Sequence, residues 1–376
     1  MLAVGTFTLG MDSFVLSGLL PEIARDLGVT VAAAGQLTTI FSVVYAVGSP
    51  VIAAVTGRWD RRIVLAGGMI TFLAGMILQA TGPDYPIVAA GRVLAAIGAA
   101  AFQSNAYAVA GTLAAPQRRG RALALVAAGA TISTVIGVPF GVLAGQWWGW
   151  RTAMWLIAGL AMISAVVVPL LPAVKLATTG LVERLRVVVR PSVLLVLVNA
   201  MLVLMPGFIM LTYLPVIVAP AIAGTLLVIT LVARGLGQVV GTQVAGRLVD
   251  SRGPMPVLIT GSIGSVVALG LLIMDRGVPW AAMATLLLAG FFVGLLFVPN
   301  QARMFTAAPD VPVVAVGLLG SVLYVAAAVG SALGGVALHV GGAGWVVIVG
   351  LAVQLLAAVV LVGQRAHRGS GSSLIV

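Results

Sequence analysis

Gly57-Arg-Trp-Asp-Arg-Arg62 sits between two long apolar runs, and Gly246-Arg-Leu-Val-Asp-Ser-Arg-Gly253 does the same in the second half of the chain. A single basic-acidic loop is common in any membrane protein. Two at corresponding places, each after the second apolar run of a set of six, indicate a duplicated unit. A second pattern repeats with them: Gly149-Trp-Arg151 opens the sixth run and Gly344-Trp345 the twelfth.

The runs are membrane spans. Only 8% of the 376 residues are charged and 61% are hydrophobic, whereas a soluble domain carries about 25% charged residues. Apolar stretches of about 20 residues recur, the length that carries a helix across roughly 30 Å of hydrocarbon. The alternation of a β-barrel is absent. Hydropathy and loop punctuation predict twelve spans, at 2–20, 34–56, 63–81, 87–112, 122–145, 152–172, 192–214, 221–245, 255–274, 280–302, 313–337 and 344–363. Pro206, Pro215 and Pro220 are expected to interrupt the region 192–233. The fold class is therefore all-α and polytopic: an amino-terminal six-helix half (1–172), a linker (173–191) and a carboxy-terminal six-helix half (192–376) with a short tail. The first span lacks a basic n-region and contains Asp12, so it reads as a retained helix and not as a signal peptide. It starts almost at Met1, which leaves open a short preceding segment.

Positive charge sets the orientation. Of the 20 Lys and Arg residues, 15 fall after even-numbered spans, in the linker or in the tail: Arg58, Arg61, Arg62, Arg118, Arg119, Arg121, Lys175, Arg184, Arg186, Arg190, Arg247, Arg252, Arg303, Arg365 and Arg368. By the positive-inside rule both termini are cytoplasmic. The net charge of +11 is thus spread over short loops, which argues against nucleic-acid binding. The linker, with Lys175, Glu183, Arg184, Arg186 and Arg190, reads either as a solvated connection or as a short interfacial helix with Leu181, Leu185 and Val188 on its apolar side.

Several chemistries find no residues. There are no cysteines, and His339 and His367 stand far apart without a ligand set, so no metal site is expected. No Gly-x-x-x-x-Gly-Lys phosphate loop is present, so neither ATP-driven transport nor an enzyme is expected.

What remains is a handful of polar groups at membrane depth. Asp12 lies about 16 Å along the first helix, near the bilayer centre. Desolvation there favours the protonated carboxyl and a nearby cation the ionised one, a tension that suits a proton carrier; a structural helix-helix hydrogen bond is the plainer alternative. Arg92 begins a few residues inside the fourth span and must snorkel or pair, because it cannot shed its proton. It is expected to face the interior and reach Asp12 directly or through water. In the first basic loop, Gly57 permits tight approach, Asp60 caps or pairs with a helix end, and Arg58, Arg61 and Arg62 bind helix carbonyls or lipid phosphates; Asp250 is its counterpart in the second. Gly137, Pro139 and Gly141 would bend the fifth span and pack it closely. Arg234 lies roughly 18 Å from Gly246 along its helix, near mid-membrane; it either attracts an anionic or carbonyl-bearing substrate or provides an ion partner across the halves, unless its span is drawn too deep. Gln36, Tyr45, Gln103, Asn105, Tyr107, Asn199, Tyr213, Asn300 and Tyr324, with Met205 and Phe208 as a soft apolar wall, are candidate substrate contacts. Trp147, Trp148 and Trp150 read as an interfacial belt.

Three stretches carry a family likeness: Gly10-Met-Asp-Ser-Phe-Val-Leu-Ser-Gly-Leu-Leu-Pro-Glu-Ile-Ala-Arg-Asp-Leu27, the loop Gly57–Arg62, and Gly91-Arg-Val-Leu-Ala-Ala-Ile-Gly98 with Ile136-Gly-Val-Pro-Phe-Gly141. Together they resemble the major facilitator superfamily, in its twelve-helix drug:proton antiporter branch, and within that the chloramphenicol-resistance and arabinose-efflux-like exporters. The loop departs from the family signature in lacking its second glycine, so Asp60 runs straight into Arg61. The resemblance implies two six-helix halves around a central cavity. It also implies proton coupling through Asp12 and Arg92, conformational switching by the loop 57–62, and a fifth-span antiporter motif at Gly137, Pro139 and Gly141. The expected function is proton-driven efflux of small amphipathic or neutral compounds, phenicol-type antibiotics among them, by a monomer in a bacterial inner membrane. Its partners would be the substrate, protons and lipids, with no cofactor. The alternatives are a carrier of a sugar, nucleoside or other metabolite, or a non-transporting receptor or scaffold.

Overall fold

The computed structural model describes residues 1–115, 118–174, 186–219, 221–275 and 277–371. Among these, all regular structure is helical. The chain forms two compact units, Met1–Leu185 and Arg186–Val376.

In the first unit, α1 (Leu2–Gly18) breaks at Leu19 and resumes as the short α2 (Leu20–Asp26), bent by 71°. Pro21 stands in the first turn of α2, where a missing N–H costs nothing. The first predicted span, drawn unbroken to residue 20, is corrected accordingly. Next come α3 (Val31–Val55), α4 (Arg61–Thr81) and α5 (Tyr85–Leu113). The fifth span is α6 (Arg119–Ile132), a π-turn (Ser133–Gly137) and α7 (Val138–Trp148); α8 (Trp150–Val167) closes the unit.

The second unit holds α9 (Pro191–Val218), α10 (Thr225–Arg252), α11 (Pro254–Asp275), α12 (Pro279–Ala307) and α13 (Pro312–Gly371). Pro206 and Pro215 do not interrupt α9, which runs through both; membrane helices accommodate proline because neighbouring groups re-satisfy the freed carbonyls. The eighth span also runs further than expected. It continues to Arg252, so Gly246–Arg252 is helix and not loop, and it stops where Gly253 adopts φ +78, a conformation that side-chain-bearing residues avoid.

Ten described helices are long and apolar enough to cross a membrane, or eleven with the bent α1–α2 pair as one span. The apolar stretch of α13, Gly317–Arg365, is 49 residues long and would measure about 73 Å if straight. Gly341 and Gly342 leave helical geometry and divide it, supplying the last two of twelve spans. Lys175, Leu181, Glu183, Arg184 and Leu185 of the predicted linker lie outside the described residues, as do Pro220 and Arg276.

The two units repeat a packing plan. α5 packs against α3 and α4, and α12 packs against α10 and α11. Both α5 and α12 are 29 residues long, and they begin 194 residues apart, at Tyr85 and Pro279. Their tight seams differ. In the first unit a side chain on Gly75 or Gly98 would strike the partner backbone across α4–α5, whereas in the second Gly237, Gly241, Gly290 and Gly294 fill that role across α10–α12.

Candidate functional site

Asp12 and Arg92 are both wholly buried, at 0% exposure, and Arg92 Nη1 donates to Asp12 Oδ1 at 2.7 Å. Three helices build this pair. α1 carries the acid, α5 carries the arginine, and α3 supplies the Leu37 carbonyl, which accepts from Arg92 Nε at 3.4 Å, and the Phe41 ring, whose centroid lies 4.4 Å below the guanidinium. The contact is monodentate: Asp12 Oδ2 and Arg92 Nη2 are buried without a hydrogen-bond partner among the described residues. Two opposite charges in such surroundings hold each other, and removing one strands the other at a cost of about 3–5 kcal/mol.

A row of small residues positions α1. Gly129, Ser133, Gly137, Gly141 and Gly145 recur every fourth residue along the fifth span, and a side chain at any of the four glycines would collide with α1 or the Leu19 beyond it. A four-residue period drifts around a helix of 3.6 residues per turn, and the wider π-turn at Ser133–Gly137 re-phases it just before the buried Pro139. Thr6 Oγ1 adds a 2.7 Å hydrogen bond to the Val126 carbonyl. This helix pair is packed for close approach, with Asp12 directed to the α5 side.

The loop after α3 is tied down inside its own unit. Asp60 caps α4 by accepting from Arg62 N at 2.9 Å and also accepts from Val174 N at 3.1 Å. The buried Arg61 donates to the carbonyls of Thr56 and Gly57 and to Asn105 Oδ1, closing the end of α3 onto α4 and α5. Arg62 reaches the Leu171 carbonyl at 3.5 Å, and Arg58 is exposed. The second basic-acidic segment is different: Asp250 is exposed in the last turn of α10 and has no hydrogen-bond or ion-pair partner among the described residues.

The Major Facilitator Superfamily model matches residues 2–233. The chain belongs to the major facilitator superfamily. It is 37% identical over 271 residues to a chloramphenicol resistance protein of Streptomyces lividans, covering 70% of this chain and 69% of that one. It is 30% identical to YbcL, an uncharacterised transporter of this superfamily from Bacillus subtilis, over 97% of this chain and 95% of the relative. The inner membrane transport protein YdhP of Escherichia coli K12 is 29% identical over 89% of this chain and 86% of its own. Among solved structures, a D-xylose-proton symporter superposes with a TM-score of 0.76 at 16% identity, covering 96% and 95% of the two chains. The chain is thus a multi-pass membrane transporter with the all-α facilitator fold, and its substrate is a small molecule.

The remaining candidates of this facilitator fall into groups. Tyr45 stacks on Phe41, the ring beneath Arg92, with centroids 6.2 Å apart. Gln103 is three turns beyond Arg92 on the same face of α5, and its Oε1 is buried without a partner. Gln36 and Tyr107 are half-buried, while Asn105 is engaged by Arg61. In the second unit several nominated residues join helices. Asn199 forms a reciprocal amide pair with Gln364 at 2.8 and 3.1 Å, and the wholly buried Tyr213 donates to the Ser331 carbonyl. Gly330 brings α13 against Met205 and Phe208. Asn300 donates to the Leu296 carbonyl and leaves its buried Oδ1 without a partner; Tyr324 is half-buried on α13. Arg234 is buried on α10, nine residues past Thr225 and hence about 14 Å along the helix.

Sequence reasoning missed three elements. Gln354, a lone amide in an apolar span, donates to Ser262 Oγ at 2.7 Å; the logic that selects Asp12 would have found it. Gln364 lies at a span end and gave no such signal. Trp150 packs inside its unit instead of facing outward as Trp147 and Trp148 do, and its Nε1 donates to Asp26, which also pairs with Arg151. Those hydrogen bonds, led by that of Trp150, hold the Asp26 carboxyl below its usual range. Trp147 and Trp148 stay exposed at the end of α7.

Proposed function

We propose that this transporter exports small amphipathic or neutral compounds in exchange for protons, by alternating access, and that Asp12 is the proton carrier. The observation that carries this reading is the half-satisfied pair: one oxygen of Asp12 is held by Arg92, and the other is open. A proton arriving at Oδ2 neutralises the carboxylate and releases its hold on Arg92. Arg92 keeps the Leu37 carbonyl and the Phe41 face when the pair parts. Without the proton, parting would strand two buried charges, so opening is coupled to protonation. Gln36, Tyr45, Gln103 and Tyr107 would meet substrate nearby, and the Gly57–Arg62 loop would govern switching.

The driving force is sufficient. One proton crossing 100 mV supplies about 2.3 kcal/mol and one pH unit about 1.4, together enough for a several-hundred-fold gradient of a neutral solute. The name of the Streptomyces relative supports phenicols as first candidates. The likeness to the xylose symporter is one of fold and does not carry its substrate across. The arginine distribution supports cytoplasmic termini, and the likeness to the inner membrane transport protein YdhP supports a bacterial inner membrane.

The test is made in everted vesicles with an imposed pH gradient and a drug panel that includes chloramphenicol. Addition of a substrate should collapse the gradient in wild type and leave it intact in an inserted Asp12→Asn variant. Proton-driven export retained by that variant removes Asp12 from the mechanism.

A further inference from the structure

Arg234 is 7% exposed and, among the described residues, has neither a hydrogen bond nor an ion pair. It lines a recess of about 20 Å³ within the carboxy-terminal unit, room for a single water in this conformation, whose walls include Met210, Leu269 and Leu286; its other polar groups, Ser265 and Gln354, donate to the Gly261 carbonyl and to Ser262. A guanidinium keeps its charge at any physiological pH. A buried charge without a counter-ion costs several kcal/mol, so such groups persist where function uses them.

No acid of its own half serves it. From residue 192 onward the acids are Asp250, Asp275 and Asp310, and all three stand at helix ends or beyond. Asp12, the mid-span acid, is already engaged by Arg92. The register of the repeat sharpens the point: shifted by the 194 residues that separate α5 from α12, Arg92 falls on Leu286, an apolar residue that lines the recess before Arg234. Where the amino-terminal half buries a completed ion pair, the carboxy-terminal half buries a cation with no partner among the described residues.

We infer that Arg234 is an oxyanion-binding residue, and that the transported compounds include amphipathic organic monoanions that place a carboxylate or comparable oxyanion on Arg234 once alternating access widens the recess, their apolar body then meeting Met210, Leu269 and Leu286. This deepens the export reading by naming a substrate class. A guanidinium offers two parallel N–H donors to such a group, which a neutral alcohol of the same shape cannot use in full. Export of a monoanion against one proton moves two charges, so an inside-negative potential drives it harder than neutral exchange.

The test is equilibrium binding to the purified full chain in phosphatidylcholine nanodiscs at neutral pH, with phenylbutyrate and phenylbutanol as matched probes. Wild type should bind the carboxylate at least about tenfold more tightly than the alcohol, the value of one charge-assisted hydrogen bond. Arg234→Gln should erase that preference and leave the alcohol unaffected, and Arg234→Lys should keep part of it. If Arg234→Gln fails to insert, Leu286→Glu carries the same prediction, because it supplies an internal carboxylate that competes with the probe. Equal affinity for the two probes in wild type overturns the inference, as does a preference that survives both substitutions. Loss of carboxylate binding when phosphatidylglycerol is added to the nanodisc also overturns it, by assigning the recess to a lipid phosphate. No gradient is present, so an absence of proton coupling leaves this measurement standing, and its failure leaves the vesicle test untouched.

Discussion

Arg92 and Arg234 lie about 10 Å and 14 Å along their respective helices, each inside one six-helix half, and both are buried. One is neutralised by Asp12 at 2.7 Å and braced by a carbonyl and a ring; the other faces apolar side chains and two neutral polar groups. The duplicated architecture therefore carries different chemistry in its two copies. An internal ion pair opens when a proton discharges one member. A cation with no partner among the described residues is open to completion by a bound anion. The first arrangement suits coupling to a proton and the second suits recognition of a solute, so a transporter that needs both gains by letting its halves diverge.

The contrast breaks most completely at Asp12. Asp12→Leu strands Arg92 and should cost about 3–5 kcal/mol, while the double variant Asp12→Leu/Arg92→Leu recovers most of that loss. Both should be inactive in proton exchange. Denaturant or thermal unfolding in detergent, read beside vesicle transport, separates the stability effect from the coupling effect.

The two glycine seams give the next largest effects. A methyl group at Gly290 overlaps the Arg234 carbonyl, so Gly290→Ala should cost about 1–3 kcal/mol and weaken phenylbutyrate binding. Gly141→Ala collides instead with Val15 and Met11 on α1, should cost a similar amount, and should impair coupling while leaving that binding alone. Melting curves and the paired binding assay check both.

The two basic-acidic segments should differ as well. Arg61→Ala frees the carbonyls of Thr56 and Gly57 together with Asn105, at a cost of about 1–3 kcal/mol. The exposed Arg252, at the end of a continuous helix, should tolerate alanine within about 0.5 kcal/mol. The smallest effect is at Asp26. Its folded carboxyl titrates below the unfolded value of 3.8, so its contribution is complete above that pH and is lost as pH falls through the folded value. The site is half-exposed, so Asp26→Asn should lower stability at neutral pH by no more than about 1 kcal/mol. The difference from wild type should shrink in acid.

The fold was legible because lipid leaves few options: the apolar runs announce helices, and the arginines between them mark where the helices turn. Asp12 and Arg92 stood out by the same contrast, as charges that hydrocarbon does not tolerate singly. Their contact distance and the open carboxylate oxygen did not, since both depend on how three helices close on one another. The extension of α10 to Arg252 was hidden because Arg-Leu-Val-Asp-Ser reads as a loop by polarity yet is fully compatible with helix. The break at Leu19 had a signal in Pro21, which hydropathy alone overrode. The loneliness of Arg234 follows from which residues surround it, and no pattern along the chain reports that.

The most direct measurement is difference infrared spectroscopy of the purified transporter with isotope-labelled aspartate, wild type against Asp12→Asn, titrated in pH with and without chloramphenicol. The account predicts a carboxylic-acid carbonyl band that belongs to Asp12, is absent from the variant, and responds both to pH and to the added compound. An Asp12 that keeps one charge state throughout, in a protein that still exchanges protons for substrate, would contradict it.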